Sequence, residues 1–118
     1  SAFDQVFVTD ADLTMIERFY NESVDTLMNL LKQFVEEIND EDGNINWKLT
    51  LSSRFDIKLE PSIIRSATSY LVNSIIGKWC EITAPDKVKE YADNAIAILA
   101  DIKDKVFHKS APNRVKPQ

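Results

Sequence analysis

A chain of 118 residues with a formal net charge of −5, 44% hydrophobic and 28% charged side chains has the composition of one globular domain. Its single cysteine, Cys80, excludes an internal disulfide and a cysteine metal cluster, and its single histidine, His108, excludes a multi-histidine site. There is no run of 18 apolar residues to span a membrane, and two glycines are too few for an all-β sandwich rich in tight turns.

Charge is unevenly spread. Residues 1–60 carry 13 acidic and 5 basic side chains, whereas residues 61–118 carry 6 acidic and 9 basic ones. Two differently solvated faces would explain this. So would head-to-tail association, with the acidic surface of one copy against the basic end of the next, where Lys103, Lys105, Lys109, Arg114 and Lys116 cluster.

Taken in chain order, the first element is an apolar, β-prone arm at 3–8, with Phe3 and then Val6, Phe7 and Val8 in succession. It is too short to stand alone and needs a strand, a core or another copy to dock on. Thr9 followed by Asp12 resembles a capping box, with Asp in the usual Glu place. Apolar residues from Leu13 through Tyr20, Leu27 and Phe34 to Ile38 then recur at steps of three and four. They predict a long first helix over 11–39, about 43 Å at 1.5 Å per residue. Asn39 to Asn44, with Gly43 as a left-handed stop, is expected to end it in a solvated acidic loop.

Ile45, Trp47, Leu49 and Leu51 alternate with polar residues, and Phe55, Ile57 and Leu59 continue the odd-numbered series. That period of two predicts two short strands, or a strand and an extended return, broken at Ser52-Ser53-Arg54. A second helix starts at Pro61 and stops near Ile82, with Ile64, Ala67, Leu71, Ile75, Trp79 and Ile82 along one face. Thr83 and Pro85 then read as the cap and first turn of a third helix. Small Ala92 and Ala95 on that helix point to a close crossing, and it should end near Lys109. The expected fold is mainly α (α+β): a three-helix bundle with a long first helix and a small β element between helices 1 and 2. It forms one domain over 1–112, followed by an extended basic tail at 113–118.

The residues offer no catalytic, cofactor or metal site. Cys80 sits mid-helix beside Trp79 and reads as a buried thiol, and His108 suits a helix C-terminus. The Asp40-Glu41-Asp42-Gly43 loop fails as an EF-hand, because the first and twelfth positions would be Ile38 and Leu49. Pro85-Asp86-Lys87-Val88-Lys89-Glu90 mixes charges where a DNA-reading helix would be basic, and with a pI near 4.8 no specific nucleic acid is expected. The residues expected to meet partners are Phe3, Val6, Phe7, Val8, Trp47, Lys105, Lys109, Arg114 and Lys116.

Ile75-Ile76-Gly77-Lys78-Trp79, Tyr91 with Ala95, and Lys109 to Arg114 carry a resemblance to small helical head–tail connector, neck or tail structural proteins of tailed bacteriophages. It covers Tyr70 to Pro117. The resemblance implies a virion structural subunit that works in a ring and catalyses nothing. The expectation is therefore a non-enzymatic, self-associating assembly subunit, intracellular (cytoplasmic) or in a virion, with protein partners and no small-molecule substrate or membrane. The second reading is a soluble helical adaptor or regulatory module that binds one protein partner.

Overall fold

The computed structural model describes residues 9–32, 35–41, 44–49 and 57–107. The expected arm at 3–8 and the tail at 113–118 lie outside them. The described chain is mainly helical, and its packed unit consists of three helices.

Helix α1 (Asp10–Leu31) begins where Thr9 closes it. The Thr9 N–H donates to Asp12 Oδ2 at 3.2 Å, and the Asp12 N–H donates to Thr9 Oγ1 at 3.1 Å. Asp at the third helical position thus does the work usually left to Glu, and such a cap is worth about 1 kcal/mol.

The helix ends earlier than expected. It runs for 22 residues and not to residue 39. Leu31 belongs to a cluster with Ile63 near the start of the second helix and Val106 near the end of the third. A helix continuing past Leu31 would outrun both neighbours. Helices in water draw most of their stability from a buried face, and Leu31 is the last buried residue of this one.

The chain between the first two helices also departs from expectation. Asn44–Leu49 (β2) runs antiparallel to Val35–Glu41 (β1), with Val35 opposite Leu49 and Ile38 opposite Trp47; the expected break at Ser52-Ser53-Arg54 and the return at Phe55 lie outside the described residues. An irregularity between Val35 and Glu37 matches the three-residue step from 35 to 38 with the two-residue step from 49 to 47. A helix-like spacing is thereby accommodated in an extended backbone. Ile57–Leu59, expected as strand, is a 3-10 turn leading into the second helix.

Helix α2 (Glu60–Thr83) carries Pro61 in its first turn, as expected. Its end is closed by the Ala84 N–H on the Cys80 carbonyl at 2.9 Å. Thr83 does not cap the third helix: its hydroxyl donates back to the Trp79 carbonyl at 3.0 Å. A 3-10 turn at Pro85–Lys87 then feeds α3 (Val88–Phe107). None of the three helices is long and apolar enough to cross a membrane.

α2 and α3 form an antiparallel hairpin. Gly77 lies against Tyr91 and Ala92, Asn73 meets Asn94, and Ser66 meets Asp101 and Lys105. α1 lies antiparallel to α2, with Glu22 at Lys78 and Ser23 at Ser74. Leu27 and Ile102, almost fully enclosed, lie at the heart of the core cluster. Burying side chains of that size contributes about 1.5–3 kcal/mol each.

The expected close crossing is present, with glycine as its main device. A Cβ on Gly77 would stand 3.3 Å from the Tyr91 Cβ and 3.7 Å from the Ala92 nitrogen. Gly77→Ala adds about 1 kcal/mol of helix propensity against that tight contact, so its unfolding free energy should stay within about 1 kcal/mol of the parent. Gly77→Val branches at a Cβ that would already stand 3.3 Å from the Tyr91 Cβ and adds a β-branched residue to the helix, so chemical denaturation should show a loss of about 1–3 kcal/mol.

Candidate protein-interaction surface

Among the described residues no group of three or more His, Cys, Asp or Glu could hold a metal ion. Cys80 is buried in α2. His108 lies outside the described residues.

The cluster closest to chemistry is Ser66, Asp101 and Lys105. Lys105 Nζ stands 2.6 Å from Asp101 Oδ2 and 3.1 Å from Ser66 Oγ, and Ser66 Oγ donates to Asp101 Oδ2 at 3.3 Å. A serine nucleophile would give its proton to the amine. Here the amine donates to the serine and the serine to a carboxylate, so the geometry is that of a polar tie between α2 and α3. Lys105, one of the expected partner-meeting residues, is thus engaged within its own chain and has a side chain only 21% exposed. Of the others, Trp47 sits in β2 opposite Ile38. Phe3, Val6, Phe7, Val8, Lys109, Arg114 and Lys116 lie outside the described residues.

Two polar contacts pin α1 to α2. The Ser23 and Ser74 hydroxyls are 2.7 Å apart, and Ser23 is fully buried. Nearer the surface, Glu22 meets Arg18 at 3.1 Å and Lys78 at 3.3 Å. The Arg18 hydrogen bond, then the Lys78 one, hold the Glu22 carboxyl below its ordinary value of 4.5. Lys105 holds Asp101 below 3.8, with a smaller contribution from Ser66.

The surface that stands out lies on the outside of α2. This 24-residue helix has apolar side chains around most of its circumference. One side takes α1, where Ala67 and Leu71 pack against the core, and a second takes α3 through Tyr70 and Gly77. On the remaining side Ile64, Val72 and Ile82 are 58%, 49% and 57% exposed. Ile75 and Trp79 between them are half-buried, and Thr68 is exposed. The face expected along Ile64, Ala67, Leu71, Ile75, Trp79 and Ile82 is therefore divided between core and solvent. Thr68, Val72, Ile75, Trp79 and Ile82 follow one another at steps of four, three, four and three. That is the seam spacing of packed helices, and it was open to view in the sequence.

Beside the seam, at its Ile64–Thr68 end, a shallow groove of about 190 Å³ opens between α1 and α2. Tyr20, Val24, Ile64, Thr68 and Leu71 are among its walls.

Ser23→Ala should cost about 1–2 kcal/mol by leaving the Ser74 hydroxyl short of a partner. In a double-mutant cycle with Ser74→Ala, the two losses should fall short of additive by about 0.5–1 kcal/mol, measured by urea unfolding. Glu22 and Asp101 give a second test. A carboxylate depressed in the folded state supplies stability above its ordinary value, and that stability is lost as pH falls through the lowered folded value. The melting temperature should therefore drop as pH falls below 4.5 and then 3.8, and Asp101→Asn should flatten that decline.

No known protein family, curated protein or solved structure matches this chain, so its working surface has to be read from its own residues.

Proposed function

We propose that the chain is a non-enzymatic assembly subunit that works by associating with other protein chains, its own copies first, within a larger complex. The observation that carries this is the outer face of α2, where aliphatic side chains about half exposed follow one another along the helix. Scattered exposed aliphatics are ordinary, but an ordered apolar strip on a small chain marks a contact surface. The opposite charge balance of the two halves adds a second, electrostatic mode in which the basic end at Lys109, Arg114 and Lys116 meets the acidic surface of a neighbour. The likeness of Tyr70 to Pro117 to head–tail connector and tail structural proteins favours a virion as the setting.

An adaptor that binds one partner is the alternative, and the groove between α1 and α2 favours it. Its mostly apolar walls would accept one large side chain from a partner helix.

Light scattering coupled to size exclusion, over a range of protein and salt concentrations, tests the assembly reading. Concentration-dependent association is expected, with a salt-sensitive part that disappears on removing residues 109–118. A strict monomer at every concentration, unaffected by that truncation, would sink the reading and leave the adaptor.

A further inference from the structure

We infer that the seam on α2 takes the same seam of a second copy, with the two α2 helices antiparallel about a two-fold axis between Asn73 and Ser74. This rests on the self-association reading above and names its surface. Three features of the chain select the occupant.

The first is spacing. Steps of four and three between Thr68 and Ile82 present a straight row to a partner whose side chains repeat in the same way. A second α-helix meets that row knob for knob along its length, about 21 Å at 1.5 Å per residue.

The second is charge. Between Arg65 and Ile82 the seam holds no ionised side chain, so the occupant must be uncharged along the same length or leave a charge buried without a mate. The outward sides of α1 and α3 fail this test, since they carry exposed Glu17, Arg18 and Asp25, or Lys89, Asp93 and Asp104. The α2 face of another copy passes it.

The third is size matching, which also fixes the direction. Parallel pairing would stack Trp79 on the partner's Trp79 and set Arg65 against the partner's Arg65. Antiparallel pairing sets Trp79 against the partner's Thr68, Val72 against the partner's Ile75, and Ile82 against the partner's Arg65. Large then meets small, as close packing requires, and the two guanidinium groups lie about 25 Å apart along the axis. At the Thr68 level the partner's Trp79 also arrives beside the groove of about 190 Å³ walled by Tyr20, Ile64 and Leu71. A central aromatic anchor in a pocket is the usual energetic centre of such a contact.

The strip from Ile64 to Ile82 is one helix wide and falls short of the roughly 800 Å² per partner of a standard stable interface. Pairing is therefore expected at micromolar concentration.

Sedimentation equilibrium on the full chain, from about 1 to 300 µM so as to bracket micromolar affinity, tests the inference when run on the parent and three variants. The parent should pair reversibly and keep pairing in high salt, because the seam is apolar. Val72→Glu and Thr68→Glu each bury a carboxylate opposite an apolar surface, and should weaken pairing by about a hundredfold or more. Far-UV circular dichroism checks that each variant keeps its helices. If Val72→Glu loses them, Thr68→Glu decides, since that side chain is exposed and its hydroxyl only bonds back to the Ile64 carbonyl. Ile82→Glu should keep the dimer but make it salt-sensitive, because the new carboxylate faces the partner's Arg65.

A parent that stays monomeric throughout overturns both this inference and the self-association reading. Association that survives both Val72→Glu and Thr68→Glu leaves self-association standing and overturns the α2 seam. Loss of pairing in Ile82→Glu as complete as in Val72→Glu overturns the antiparallel register.

Discussion

The helical unit depends on the packing of α2 against two neighbours at once. Gly77 lets α3 approach on one side, with a backbone nitrogen and a Cβ where a side chain would otherwise stand. The buried Ser23–Ser74 pair sets α1 on another side. A hydroxyl pair inside an apolar interface costs desolvation unless each group finds the other, so it fixes axial position more sharply than aliphatic contacts do. With Glu22 held by Lys78 one turn further along, α1 has one place to sit. What remains of α2 is then determined by subtraction: a side on which Ile64, Val72 and Ile82 stand exposed beside Arg65, Thr68 and Ser69.

The charged groups that link one helix to another in the described part serve geometry. Lys105, Asp101 and Ser66 close the α2–α3 flank, and Glu22 with Lys78 closes the α1–α2 flank. Partly exposed pairs of this kind add little stability individually. Their effect is on direction: each is a polar contact that a slip of one helix past the other would break.

Much of the helical part was legible in the sequence because its signals are local. Thr9 with Asp12 is a closed hydrogen-bond loop of four residues, and Pro61 needs only its own missing N–H to favour a first turn. The end of α1 was not legible. Val35 and Ile38 suit a helix by spacing as well as a bulged strand, and α1 keeps its last buried residue, Leu31, in the cluster it shares with α2 and α3. The Asp-Gly pair at 42–43 lies outside the described residues, but as sequence it is a common hairpin signal that a helix-stop reading of Gly43 passes over. The candidate surface was half legible. Periodicity groups Thr68, Val72, Ile75, Trp79 and Ile82 together, but it does not say how many sides of a helix its own chain will cover. Thr83 carries a similar lesson, since a hydroxyl between two helices can serve either one, and here it bonds back to Trp79.

The exposed aliphatics on the outer side of α2 have a consequence for the chain in solution. An aliphatic strip facing water is a hazard to solubility, because it will adhere to any apolar surface at hand. The same chain carries an excess of five negative charges at neutral pH, and like-charged molecules approach one another reluctantly at low ionic strength. That repulsion is non-specific and long-ranged, whereas apolar packing is short-ranged and demands fit. Near the isoelectric point of about 4.8 the repulsion vanishes while the strip remains. Mild acid is therefore the condition in which the isolated chain is least protected against indiscriminate clumping.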